Sequence, residues 1–216
     1  MATISMAKYP LDALFKGVPG ELFPKGAKIC VPENHVCIVV QYGKVVGSYE
    51  GDAQLSKKFF PMLEAPLFGK VKCKIFIFPK SFNKSCFAKN FAFKLKDGTE
   101  AVMGGVVGYN AKLTSPEKIP DLLSYVKEVN PVGVYLAESD LSSLVKDSMA
   151  EFFRNWAEKG KNWRSKKSYD SEEERKENQA QTLELEMNLK VHLEYFFANF
   201  GYKASVMVEL DDVCSK

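Results

Sequence analysis

The chain has 216 residues, of which 46% are hydrophobic and 26% are charged, and its formal net charge is +3. A length of this order fits one large domain or two small ones. The 12% aromatic content excludes global disorder, and so small a net charge does not indicate a nucleic-acid binder without a concentrated basic patch.

The sequence contains no signal for membrane insertion or secretion. No run approaches the roughly 18 consecutive apolar residues that a membrane span requires. Lys8, Asp12 and Lys16 interrupt the apolar N-terminal residues, so a secretory signal is not expected. Five cysteines without a C-x-x-C pair indicate reduced thiols. We therefore expect a cytoplasmic protein that is at most peripheral to the inner face of a membrane.

The first 27 residues are predicted to form an N-terminal arm, and residues 28–216 are predicted to form one domain with a single core. Leu11, Leu14 and Phe15 have helical spacing, although a flanking proline and glycine restrict the helix to about two turns. These three side chains are a candidate contact for a membrane or a partner protein. The alternative is that the segment folds back on its own domain.

Residues from about 28 to 113 are predicted to be mainly strand. In residues 70–78, apolar side chains alternate with lysines up to residue 74, which is typical of a half-buried strand, and Phe76 and Phe78 then cover the second face near the end of the strand. The apolar positions are Val71, Cys73, Ile75 and Ile77. Asp97-Gly98 predicts a type I′ hairpin turn, because that turn needs positive φ at both central residues. The next strand places every second residue from Met103 to Leu113 on one face.

Helices are predicted in the second half of the chain. A short one begins with Pro116, which suits a first helical position. Two longer helices are predicted over residues 139–159 and 171–200. The apolar face of the last helix is predicted to contain Leu185, Leu189, Leu193, Phe196 and Phe200, widened by Leu183 and Met187. Gly201 ends this helix, and residues 204–210 alternate as a closing strand.

Strands first, helices next and a closing strand predict an α+β fold. In this architecture, helices cover a mainly antiparallel sheet, and the C-terminal strand returns to that sheet.

Candidate catalytic and metal-binding residues are few. His35 and Cys37 share a face of a predicted strand, but a structural zinc site needs four ligands, usually in paired clusters. His192 is interpreted as a half-buried core residue, and the sequence has neither a nucleophile elbow nor a phosphate-binding glycine loop. We expect no metal, no cofactor and no catalytic residue. An enzyme that uses Cys37 or Cys86 is a minor alternative.

Basic residues are concentrated in residues 154–167, between the last two predicted helices. Those that could bind the phosphates of nucleic acid or anionic lipid, with one aromatic residue, are Lys161, Trp163, Arg164, Lys166 and Lys167. Acidic residues follow at once, as helix dipoles favour at the start of the next helix. A solvated helix junction is therefore the favoured interpretation, and binding of nucleic acid or anionic lipid is the alternative function.

Several segments resemble the stomatin/prohibitin/flotillin/HflK-C domain, called SPFH or band 7. KICVPENHVCIVVQYGKVVG (28–47) is similar to the opening of that domain, and LKDGTEAVMGGVVGYNAKLTSPEKI (95–119) is similar to its hairpin, long strand and proline-led helix. The two long helices and the strand at VMVELDDV follow in the family order. The segments at 9–15 and 23–31 resemble a bacterial branch described as virion-core-protein-like.

The resemblance implies an oligomerising module without catalytic residues, which assembles on or near membranes and organises lipid domains or partner proteins. The sequence departs from the family in lacking a transmembrane anchor and the long coiled coil or zinc ribbon that often follows. We expect a non-enzymatic, stomatin-like scaffold or adaptor that forms a homo-oligomer and acts peripherally at membranes. Nucleic acid is not an expected partner.

Overall fold

The computed structural model describes residues 2–4, 13–17, 22–66, 68–94, 98, 100–122, 124, 135–158, 171–211 and 214–215. The strands, in chain order, are β1 (Thr3–Ile4), β2 (Ala13–Gly17), β3 (Leu22–Pro24), β4 (Lys28–Ile29), β5 (His35–Gln41), β6 (Lys44–Glu50), β7 (Ala53–Gln54), β8 (Lys70–Lys72), β9 (Lys74–Pro79), β10 (Ser81–Lys94), β11 (Glu100–Leu113), β12 (Tyr135–Ala137), β13 (Tyr202–Leu210) and β14 (Cys214–Ser215). A 3₁₀ turn spans Pro116–Lys118, helix α1 spans Glu138–Glu158 and helix α2 spans Glu172–Asn199. The predicted α+β class with a closing strand is confirmed.

The strands form four hydrogen-bonded groups. Their orders are β12-β2-β9-β5-β6, β10-β11-β13 with β14 also pairing with β11, β1-β4-β7, and β3-β8. The described registers are antiparallel except that of β1 with β4, which is parallel. Only five residues connect β10 to β11, and this short connection agrees with the predicted hairpin, since a parallel pair needs a much longer crossover.

The chain divides into two compact units, and the expectation of one domain with a single core over residues 28–216 stays a prediction. Unit 1 contains Met1–Phe82, Lys112–Leu141 and Asn199–Lys203, and unit 2 contains Asn83–Ala111, Ser142–Ala198 and Ala204–Lys216. Each unit is assembled from separate stretches of chain because the long strands and helices pass from one unit to the other. Local periodicity carries no information about such a division.

The core of unit 1 lies under strands β5, β8 and β9. The alternation predicted for residues 70–77 is confirmed, since Val71 and Ile75 are completely buried. The lysines between the buried positions, Lys70, Lys72 and Lys74, are exposed. Within the predicted N-terminal arm, Ile4 and Phe23 are buried in this same core. The division of the chain at residue 27 stays a prediction.

Strand β11 is central in the sheet of unit 2. The face that contains Met103 and Val107 is buried. On this face β13 comes so close to Gly105 that a Cβ there would lie 2.6 Å from the carbonyl oxygen of Glu209. Glycine is therefore needed at this position for the two strands to pair.

Both long helices bury most of the predicted apolar positions. For α2, Phe197 is buried although it was not predicted to be, Phe196 and Phe200 are half-buried, and two further residues, described below, are exposed. Helix α1 begins one residue before the predicted start and buries Leu141, Val145 and Met149. At the start of α2, the N–H of Glu174 donates to the Ser171 hydroxyl over 3.2 Å, as in an N-cap. Gly201, with φ +86°, follows its last turn, as the sequence predicts.

Candidate interaction surfaces

Helix α2 carries apolar side chains on two opposite faces. One face is buried in unit 2 and contains Leu185, Leu189, Leu193 and Phe197. The other contains Leu183, Met187, Val191 and Tyr195, which are 60%, 69%, 64% and 68% exposed. Successive residues lie about 100° apart around an α-helix, so Met187 and Val191 lie nearly opposite Leu189. We call these four exposed residues the α2 outer stripe.

The outer stripe corrects one part of the sequence prediction. Leu183 and Met187 do not widen the buried face of the helix, because both point away from the core of unit 2. The signal for this exposed stripe in the sequence was the spacing of Leu183, Met187, Val191 and Tyr195, which follow one another at intervals of four residues. The sequence prediction missed it because an apolar residue in a helix is usually assigned to the core.

Two glutamates of α2 hydrogen-bond to the backbone of β13. An Oε1 atom of Glu194 accepts a hydrogen bond from the N–H of Val206 (3.4 Å), and Oε1 of Glu186 accepts one from the N–H of Leu210 (2.9 Å). The two acceptors are eight residues apart in the helix, a distance of about 12 Å. The two donors are four residues apart in the strand, a distance of about 13 Å, so the two spacings match. These bonds satisfy donors along the edge of β13, an edge that would otherwise be available to another strand.

The apolar pattern of the outer stripe is symmetric along the helix. Including the exposed alanines at its ends, its positions are Ala180, Leu183, Met187, Val191, Tyr195 and Ala198. The intervals are three, four, four, four and three residues, symmetric about Leu189. Side chains four residues apart form a ridge, and two such ridges interdigitate when the helices cross at about −50°. In an antiparallel pair of α2 helices, Met187 would face Val191 of the second copy.

The segment predicted to contact a membrane or partner is not a helix. Leu14 and Phe15 lie in β2, which pairs with β12 on one side and β9 on the other. A helix of two turns is marginal in water, whereas pairing on both sides satisfies the backbone donors and acceptors of β2. Leu11 lies outside the described residues. The contact role of these three residues stays a prediction.

The predicted phosphate contacts also lie outside the described residues. They are Lys161, Trp163, Arg164, Lys166 and Lys167. Two earlier members of the basic segment are described. Arg154 is exposed, and its Nε donates to the carbonyl of Ala150 over 3.3 Å. Trp156 is buried and stacks on Phe152, with ring centroids 6.0 Å apart, so its ring is not available for stacking on a base.

Ser148 and His192 meet between the two long helices. The serine Oγ lies 2.9 Å from Nε2 of the histidine, and the ring of Phe152 packs against the imidazole with centroids 5.2 Å apart. Ser148 is buried and His192 is half-buried, which confirms the prediction for the histidine. Activation of a serine nucleophile needs a base that a third group orients. We interpret the pair as a polar contact that aligns α1 with α2.

The described part of the chain contains no group of three or more His, Cys, Asp or Glu side chains that could hold a metal ion. The histidine and cysteine that share a face of β5 have different surroundings. His35 is half-buried, with Nδ1 2.8 Å from the carbonyl oxygen of Glu33, and Cys37 is completely buried.

Three buried cysteines are poorly suited to act as nucleophiles. Desolvation, with a smaller contribution from Cys73, raises the pKa of Cys37 to about 12, and desolvation alone raises that of Cys73 to about 12. Burial also raises the pKa of Cys86, against a smaller lowering by Lys146. Only the thiolate is strongly nucleophilic. These thiols are therefore protonated, and unreactive, at neutral pH.

Site-resolved alkylation tests this conclusion. A rise in pKa from 9.0 to about 12 leaves about a thousandfold less thiolate at pH 8. We expect native Cys37 and Cys73 to react with iodoacetamide at least a hundredfold more slowly than the half-buried Cys30, and all three to react at similar rates in denaturant. Rapid labelling of Cys37 in the native protein would contradict the assignment.

Among the described residues, no helix is both long enough and apolar enough to cross a membrane. No protein-family model matches the chain, and no curated protein is significantly similar to it.

Proposed function

We propose that this chain is a non-enzymatic scaffold domain that self-associates through the α2 outer stripe. One observation carries the proposal: four large apolar side chains line a single helix face and are each at least 60% exposed. Contiguous exposed apolar patches are uncommon on monomers and mark sites of interaction. Scattered apolar residues would need no such explanation, but these recur at every fourth position.

The occupant that fits the stripe best is a second copy of the same chain. A two-fold dimer needs a surface that is complementary to itself, and the symmetric intervals about Leu189 meet this requirement. Polar residues border the stripe at Glu184 and Lys190, like the polar rim around the apolar centre of an interface. The stripe from Leu183 to Tyr195 is about 18 Å long, which is enough for one helix-to-helix contact.

The SPFH/band 7 resemblance agrees with this proposal. Its order of elements, from the early strands through the hairpin and two long helices to a closing strand, is also the order of the described elements. Membership of that family is part of the proposal, as is a role that depends on assembly and not on catalysis.

The mass of the full chain in solution tests the proposed function. Multi-angle light scattering across a concentration series should give a mass that rises from one copy to at least two. Cross-linking between engineered cysteines at Met187 and Val191 should connect different chains. A strictly monomeric protein at the highest attainable concentration would overturn the proposal.

A further inference from the structure

A cleft in unit 1 opens beside the turn between β5 and β6. Its volume is about 270 Å³, and the described residues that line it are Val40, Tyr42, Gly43, Lys72, Cys73 and Lys74. Val40 is buried and gives the cleft an apolar floor, whereas Lys72 and Lys74 are exposed. The described lining contains two ammonium groups and no carboxylate. We call this cavity, which combines apolar surface with positive charge, the Tyr42 cleft.

Tyr42 has a backbone conformation that tyrosine rarely adopts. Its φ is +52° and that of Gly43 is +77°, as in a type I′ turn, whose first central position favours Asn, Asp or Gly. The tyrosine side chain is 76% exposed, so burial in a core does not explain a tyrosine at this position. A bulky residue at positive φ is a conformational outlier, and such outliers are concentrated at functional sites. The exposed ring therefore indicates a role other than folding.

The buried Gln41 holds the cleft in shape. Its Nε2 donates to the carbonyl of Lys72 (3.0 Å) and to that of Glu64 (2.9 Å), and its Oε1 accepts from the N–H of Glu64 (2.9 Å). One side chain thus ties the end of β5, where the turn begins, to the backbone of β8. The cleft is held together before any ligand binds, and such preorganisation lowers the cost of binding.

We propose that the Tyr42 cleft binds a nucleoside monophosphate, which is a flat aromatic base joined through its sugar to a phosphate group. An exposed aromatic ring can stack on a nucleobase. Lysine binds phosphate as a point charge, and two lysines match the charge of a phosphate monoester, which is about −1.5 to −2 at pH 7. Lys72 and Lys74 are two residues apart in extended chain, about 6–7 Å between their Cα atoms, so both long side chains can reach one phosphate.

The size and charge of the cleft favour this ligand over two others. A cavity of about 150 Å³ accommodates one benzene ring, so about 270 Å³ has room for a ring and a phosphate and for little more. A groove for a nucleic-acid strand offers successive aromatic side chains, whereas the described lining of this cleft contains one. A ligand with a single carboxylate would match only one of the two ammonium groups. The cleft lies within unit 1, so this binding goes beyond the self-association proposed for α2.

Titration of the full chain with adenosine monophosphate tests the proposal. Calorimetry should show saturable binding to one site per chain, and NMR should show amide shifts centred on Gly43. Adenosine alone and inorganic phosphate alone should each bind about tenfold more weakly or worse, because each makes only one of the two contacts. Increasing salt should weaken the binding of adenosine monophosphate but not that of adenosine.

Two variants separate the ring from the charges. Tyr42→Asn removes the ring and suits the positive φ. We expect it to weaken binding of adenosine monophosphate about fivefold or more and to raise the midpoint of denaturant unfolding, because the strained conformation is relieved. Lys72→Gln with Lys74→Gln should weaken binding of adenosine monophosphate about tenfold or more and leave binding of adenosine unchanged.

The matched control is Lys112→Gln with Lys203→Gln, which removes the same charge from two exposed positions of unit 1. The hydrogen bonds from Leu113 to Lys80 and from Lys80 to Asn34 place Lys112 near the start of β5, about 20 Å from the turn at the other end of that strand. This variant should bind adenosine monophosphate with the parental affinity.

Four outcomes would overturn the proposal. One is a loss of affinity in the control equal to that of the Lys72/Lys74 variant, and another is the absence of saturable binding. The third is binding of adenosine monophosphate that is unchanged by Tyr42→Asn or matched by inorganic phosphate. The fourth is tighter binding of a single-stranded oligonucleotide at equal nucleotide concentration, since a strand would then be the ligand.

Discussion

Replacing Met187 by glutamate is expected to convert the self-associated protein into a monomer without loss of folding. Met187 lies at the middle of the α2 outer stripe and is 69% exposed, so the substitution removes little from the core. In a two-fold pair the change occurs twice. Burial of a methionine is worth about 1.5–3 kcal/mol, so two lost contacts weaken association by at least about a hundredfold.

The charge itself adds to this effect, because an unpaired carboxylate is costly to bury. The matched control is Gln179→Glu, which adds the same charge to an exposed position of α2 outside the stripe. Light scattering should give one copy for Met187→Glu and the parental mass for Gln179→Glu, with parental circular dichroism for both. An unchanged mass for Met187→Glu would show that the stripe is not the contact.

Replacing Gly201 by alanine is expected to destabilise the fold by about 3–5 kcal/mol. Gly201 has φ +86°, and a Cβ there would lie only 2.2 Å from the carbonyl oxygen of Ser115. The Gly201 carbonyl also accepts hydrogen bonds from the N–H groups of Thr114 (2.9 Å) and Ser115 (3.0 Å). Relief of the clash must move Gly201 away from Ser115, and this movement strains the two hydrogen bonds. A loss of that size is a large part of the stability of an ordinary domain.

Gly51→Ala separates the cost of the positive φ from the cost of the clash with Ser115. Gly51 has φ +79°, but a Cβ there has no heavy atom within 4 Å, so this variant should lose only about 1–2 kcal/mol from the backbone conformation. Denaturant unfolding of both variants measures the difference. Equal losses would mean that the contact with Ser115 relaxes at no cost.

Local features that the sequence specifies directly were predicted correctly. The alternation at residues 70–77 depends only on which side chains follow one another in a strand. The buried stripe at Leu185, Leu189 and Leu193 likewise depends on helical repeat, and Gly201 ends its helix because glycine adopts positive φ without strain. With the order of elements, these features were enough for the α+β class.

Tertiary structure decided which apolar faces are covered. Leu11, Leu14 and Phe15 have helical spacing, but β9 and β12, distant in sequence, pair with both sides of the segment that contains Leu14 and Phe15 and make it a strand. Met187 and Leu189 are equally apolar in sequence, yet only Leu189 meets a core, because it lies on the helix face that packs against the rest of unit 2. Periodicity reports the local conformation of a segment, whereas burial depends on what the rest of the chain brings against it.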